Sequence, residues 1–220
     1  MKKLILRKCR LNGISSHGFC YGNVGDVVTA PDWDPTPKCG GGLHGLLEAD
    51  GEWLLLEGQQ WLVIEADEKD IVRIGDDKCK FRTGKILYRG NKIGLRKFTD
   101  RMAFTSRAAY RWASIIGHKS VLRNRVTESR WAYHWAMRFP KDRHIMRDRV
   151  TESSWAFRWA MEFPEDRSIM RDRITGSELA FWWVVRVGDL DIMRSRITES
   201  KWVKELDSYL KRFNVKEKQA

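Results

Sequence analysis

Cys39 and His44 flank three glycines in the string PKCGGGLHGLL. A thiol beside an imidazole is a nucleophile beside its base. The backbone amides of Gly40, Gly41 and Gly42, free of side chains, could cradle an anion. The same residues also read as a tight loop with a buried cysteine and a supporting histidine. No Walker motif, no GxGxxG after a strand, no GxSxG and no HExxH accompanies them. Cys9, Cys20, Cys39 and Cys79 all lie in the first half, and no CxxC or HxxxH spacing occurs, so no metal or other cofactor is expected. Arg7 and Lys8 break the apolar run of MKKLILRKCR too early for a secretory signal, which points to a cytoplasmic protein with reduced thiols. No run approaches the roughly 18 apolar residues of a membrane span, so no membrane partner is expected.

Charge offers a second kind of site. Residues 1–100 hold 16 Lys and Arg against 14 Asp and Glu, whereas residues 101–220 hold 25 against 15. The excess of +12 is therefore concentrated in the second half. Two arginine columns recur there: Arg123, Arg147, Arg171 and Arg194, then Arg125, Arg149, Arg173 and Arg196. Asp148 and Asp172 stand among them, so solvated ion pairs are one reading, worth about 0–1 kcal/mol each. A positive ladder for phosphates or for an acidic protein is the other.

The elements that must position these residues differ between the halves. In the first, KKLILRKC, GDVVTA, EWLLLE, QWLVIEA, DIVRIG and KILYRG read as short strands between turns. LHGLLEA opens as a short helix. In the second, helical spacing begins near Thr105. Trp112, Trp135, Trp159 and Trp183 are 23, 24 and 24 residues apart, which marks four copies and a partial fifth from Thr198. Two copies are one residue short and carry Gly117 and Gly188 where the others carry Phe139-Pro140 and Phe163-Pro164. Each copy reads as two helices of about ten residues. Thr127, Thr151, Thr175 and Thr198 are placed to cap the first helix, and Asp142, Asp166 and Asp189 to cap the second. Helices this short are marginal alone and must stack. The expected fold is α+β: a strand-rich domain over 1–95, then over 96–220 an all-α stack of four two-helix repeats with a terminal cap helix.

Within a copy, Trp131, Ala132, Trp135, Ala136 and Phe139 form one stripe, repeated from Trp155 to Phe163. On the second helices Ile145, Met146 and Val150, Ile169, Met170 and Ile174, and Ile192, Met193 and Ile197 form another. A buried tryptophan removes about 150–250 Å² from water, worth roughly 4–6 kcal/mol gross. Four such columns left in solvent would exceed what a soluble surface tolerates, so the stripes are assigned to the core. The opposite face then carries Arg111, Arg130, His134, Arg138, Arg158, Trp182 and Arg186. A tryptophan among arginines has the composition of an interface anchor.

APDWDPTPKCGGGLHGLL, with KCKFRTGKILYRG downstream and ITES-WA--WA repeats, resembles a family of uncharacterised phage and prophage proteins over about residues 1–205. In that family an N-terminal module precedes a variable number of short repeats. The resemblance transfers no catalytic residue. It implies a phage or mobile-element accessory protein acting inside a bacterial cell, of the kind that occupies host machinery, including defence complexes such as CRISPR effectors. Three roles follow: non-enzymatic binding of a host protein or ribonucleoprotein complex through the outward face; nucleic-acid binding through the ladder Arg123, Arg147, Arg171 and Arg194; or an enzyme using Cys39 and His44 on a nucleotide-like substrate.

Overall fold

The structure is a computed structural model that describes residues 1–15, 17–51, 59–76, 78–117 and 119–217. The expected strand EWLLLE lies outside the described residues. The chain divides into two compact units, Met1–Thr127 and Glu128–Ala220.

In the first unit, seven strands among the described residues form one antiparallel sheet: β1 (Lys2–Cys9), β2 (Val27–Thr29), β3 (Leu43–Leu47), β4 (Gln60–Asp67), β5 (Ile71–Ile74), β6 (Lys78–Phe81) and β7 (Thr83–Gly90). Their order is β2-β7-β4-β1-β3-β6-β5. β1 and β4 pair along their whole length, from Lys2 opposite Asp67 to Cys9 opposite Gln60. Leu4, Ile5 and Leu6 are all buried, so β1 is covered on both faces. Ile5, Leu62, Ile64, Phe81 and Ile86 build one core layer with Tyr21, Val28 and Ala30.

The segment LHGLL, expected to open a helix, is the strand β3. Leu43, Leu46 and Leu47 have helical spacing, but Gly45 lets the backbone lie directly against β1. A Cβ there would stand 2.4 Å from Ile5 Cγ2 and 2.8 Å from the Leu6 carbonyl. Sheet pairing on both sides overrides the local pattern.

The first helical pair, α1 (Ser106–Ile116) and α2 (Lys119–Arg123), belongs to this same unit. Trp112 packs on Trp61 and Phe104, with ring centroids 6.4 and 5.6 Å away. Arg107 pairs with Asp50 at 2.8 Å, and Arg111 donates to the Gly51 carbonyl at 2.5 Å. Thr105 caps α1 by accepting from the Ala108 amide at 3.2 Å.

The second unit is helical: α3 (Ser129–Arg138), α4 (Arg143–Arg147), α5 (Ser153–Glu162), α6 (Arg167–Arg171), α7 (Ser177–Arg186), α8 (Leu190–Met193) and α9 (Ser200–Glu217). Within it α3 packs on α5, α5 on α7 and α7 on α9. Trp135, Trp159 and Trp183 are fully buried with Ala132, Ala156 and Ala180 beside them and Met146, Met170 and Met193 from the second helices.

Several local expectations change. The second helices hold four or five residues rather than about ten, because a Pro-led 3-10 turn precedes α4 and α6. Thr127, Thr151 and Thr175 do not cap. The N-cap positions of α3, α5 and α7 fall on Glu128, Glu152 and Gly176, with no side-chain capping bond. Instead the threonine backbone amides donate to serine hydroxyls 21 or 22 residues earlier: Thr127 to Ser106 at 2.9 Å, Thr151 to Ser129 at 2.9 Å, Thr175 to Ser153 at 3.1 Å and Thr198 to Ser177 at 3.0 Å. Ile192, placed in the core stripe, is 39% exposed. No helix among the described residues is long and apolar enough to cross a membrane.

Candidate functional site

The helices of the second unit have an inward and an outward chemistry. Inward, the buried indoles find fixed acceptors. Trp135 Nε1 donates to Asp142 Oδ2 at 3.0 Å, Trp159 Nε1 to Asp166 Oδ2 at 3.0 Å, and Trp183 Nε1 to Asp189 Oδ2 at 3.1 Å. The three aspartates occupy the N-cap positions expected of them but make no side-chain capping bond. A buried indole N–H without an acceptor is the costlier vacancy, so it takes the carboxylate. The recurring Trp-to-Asp spacing of seven, seven and six residues was the legible signal.

Two arginines of one column, Arg173 and Arg196, are structural. Arg173 Nη1 donates to the Arg147 and Val150 carbonyls at 2.5 and 2.6 Å, and Arg196 Nη1 to those of Arg171 and Ile174 at 2.5 and 2.9 Å. These side chains bind carbonyls at the ends of α4 and α6 and in the turns that follow, two of which also accept from the Val150 and Ile174 amides. In the column expected to meet nucleic acid, Arg147 pairs with Asp148 at 3.2 Å and with Asp166 at 3.3 Å. Arg171 lies 3.6 Å from Asp172 and 3.9 Å from Asp189. Arg123 is half-buried and belongs to the first unit, and Arg194 is exposed.

The outward face of α3 and α5 forms a run of alternating cations and rings. The Arg130 guanidinium lies 5.2 Å from the Trp131 ring centre. Trp131 is 5.6 Å from His134, and His134 is 5.7 Å from Trp155. Arg158 closes the run 4.9 Å over Trp155, with Tyr133 at 5.5 Å from the same indole. Burial first, then the Arg130 and Arg158 charges, hold the His134 imidazole below its ordinary pKa. Trp131 and Trp155, assigned to the core from their spacing, are half-buried members of this surface. Arg138 and Arg186 are exposed at the ends of α3 and α7. Trp182 is 38% exposed and rests 5.2 Å from Phe181, which itself meets Trp202 and Tyr209 of α9. Arg111, expected on the same face, is turned to the Gly51 carbonyl in the first unit.

In the first unit, Cys39 and His44 line one cleft of about 900 Å³. Gly40, Gly41 and Gly42 all take positive φ, at 102°, 48° and 131°. A Cβ on Gly41 would stand 2.7 Å from Asp34 Cβ, so this turn demands glycine. Part of the loop is committed inward: the Gly42 amide donates to Asp32 Oδ1 at 3.1 Å, and the fully buried Lys80 donates to the Gly40 carbonyl at 3.0 Å.

The exposed Cys39 thiol receives a bond from Lys78 Nζ at 3.1 Å, and that bond holds its pKa below the ordinary value. His44 sits opposite Lys80 in the strand register. Burial, then the charges of Lys78, Arg7 and Lys80, push its pKa down to about 4. His44 Nε2 is shielded from solvent and bonds to nothing among the described residues. The thiol and imidazole thus share a cleft, while the group on the thiol is an ammonium. A protonated lysine stabilises a thiolate but cannot take its proton. Lys78 was missed in the sequence. Its signal was KCK, two lysines at strand spacing on one face.

Cys9, Cys20, Cys39 and Cys79 are free thiols, with Cys9 and Cys79 buried. Among the described residues no group of three or more His, Cys, Asp and Glu could hold a metal ion. No family model, curated protein or solved structure matches this chain.

Proposed function

We propose that this protein acts by binding a host protein or ribonucleoprotein complex, without catalysis, through the outward cation and ring surface of its helical unit. The second half is then a stack of two-helix repeats of about 24 residues, an inference supported by the Ser-to-Thr and Trp-to-Asp bonds recurring at matching positions. The observation that carries the functional reading is the array Arg130, Trp131, His134, Trp155 and Arg158. Among the described residues no carboxylate pairs with Arg130 or Arg158, and both guanidiniums lie over indoles. Rigid aromatics flanked by arginine are the usual anchors of protein interfaces. The column Arg123, Arg147, Arg171 and Arg194 is the weaker candidate, because Arg147 and Arg171 already face aspartates. The resemblance to phage proteins implies a partner in the bacterial cytoplasm, and a defence complex such as a CRISPR effector fits that context.

The test is capture from bacterial lysate with and without nuclease, using the wild type and the Arg130→Glu/Arg158→Glu variant. A specific species retained after nuclease by the wild type and lost by the variant is the expected result. Equal capture by both rejects the surface. If instead the captured species is naked nucleic acid, about five phosphate contacts would make the affinity fall roughly 500-fold between 50 and 200 mM salt.

A further inference from the structure

The cleft under the glycine loop is a second site, independent of the helical surface. We propose that it binds a small phosphorylated molecule, with the phosphate among Lys78, Arg7 and His44 and the body of the ligand along Phe19 and Leu43. All five residues line the cleft.

Three observations point there. The first is charge. Asp32 is the one carboxylate lining the described cleft, and it already accepts from the Gly42 amide. Lys78 and Arg7 are therefore not balanced within it, and Lys80 adds a buried positive charge behind the loop. The second is unmet hydrogen bonding. Arg7 Nε and His44 Nε2 are both shut off from water with no partner. Shielded polar atoms without partners are rare in folded proteins, and both of these residues line the cleft, so a turn of either side chain toward a ligand would relieve one. Arg7 is otherwise held in place, its Nη1 on the His44 carbonyl at 2.5 Å and its guanidinium 5.0 Å from the Tyr21 ring centre. The third is size. A cleft of about 900 Å³ exceeds what inorganic phosphate needs, and ligand pockets of that volume usually pair an apolar wall with a few convergent polar groups.

The charge state of His44 suits an anion. Neutral at physiological pH, it can offer an Nε2 hydrogen to a phosphate oxygen. Lys78 now serves the Cys39 sulfur, and a phosphate dianion competes for the same ammonium. Binding should therefore both raise the His44 pKa and slow alkylation of Cys39.

The full chain is titrated with adenosine 5′-monophosphate, inorganic phosphate and adenosine, reading the His44 imidazole resonances and the rate of Cys39 alkylation. We expect saturable changes with the nucleotide at a Kd of about 1 mM or below, weaker ones with phosphate, and none with adenosine. Lys78→Gln should weaken nucleotide binding at least about tenfold, the loss of one charge-assisted bond, with an unchanged circular dichroism spectrum, and Lys78→Arg should retain binding. Three results would overturn the proposal: no saturable change with any probe up to about 10 mM, adenosine binding as tightly as its phosphate, or undiminished binding by Lys78→Gln.

Discussion

Trp131 and Trp135 stand one turn apart on α3, and Trp155 and Trp159 one turn apart on α5. Trp135 and Trp159 are fully buried, with indole nitrogens fixed on Asp142 and Asp166. Trp131 and Trp155 are half-buried, with arginines over their rings. The residue type is the same and the spacing cannot tell the rows apart. What separates them is the neighbour on offer. The inner row meets a carboxylate from the following 3-10 turn, and the outer row meets cations from its own helix. A tryptophan's role is set by what its N–H and its ring face, because an indole has an apolar body and one donor that must be satisfied when buried.

The comparison breaks most visibly on truncation. Trp159→Ala should cost about 3–5 kcal/mol in urea unfolding, as large core truncations do, and Trp155→Ala much less. Equal losses would erase the distinction between the rows. Next comes the acceptor. Asp166→Ala strands a buried indole N–H and takes a carboxylate from Arg147, and should cost about 2–3 kcal/mol. Asp166→Asn keeps an acceptor oxygen and should lose less. The arginines sharpen the contrast further. Arg173→Met removes the guanidinium from the Arg147 and Val150 carbonyls and should cost about 1 kcal/mol, whereas Arg158→Met should stay within about 0.5 kcal/mol, as exposed substitutions do. Unfolding midpoints measure both.

A separate effect is in pH. His44 has a folded pKa of about 4 against an ordinary 6.5, and His134 is shifted the same way. Below pH 6.5 the unfolded chain takes up protons that the folded chain refuses. Stability should therefore fall as pH drops from 6.5 toward 4 and be insensitive to these groups above that range. His44→Gln should make the slope shallower. Urea midpoints across the range would show it, and an unaltered slope would place His44 in an ordinary environment.

Much of this architecture was legible before the structure. Strand-like runs marked five of the seven strands, and the indole spacing marked Trp112, Trp135, Trp159 and Trp183 as core, although Trp131 and Trp155 share that spacing and are only half-buried. Three features were hidden. β3 has helical leucine spacing, and only the β1 backbone against Gly45 makes it a strand. The Thr and Asp residues look like caps because caps are their commonest local use; their actual partners lie about 22 and 7 residues away. At the cleft, Cys39 and His44 stood out as a pair, but Lys78 and Arg7 arrive from β6 and β1, and no local motif links them to the glycine loop.

Hydrogen exchange of the indole Nε1–H groups, followed by NMR on the intact chain, separates the two rows directly. Trp135, Trp159 and Trp183, each bonded to an aspartate, should be protected and should exchange only when their helices open. Trp155 and Trp182 should exchange quickly. Fast exchange at Trp135 and Trp159, or protection at Trp155 equal to theirs, would mean that the arginine-bearing side is not the exposed one.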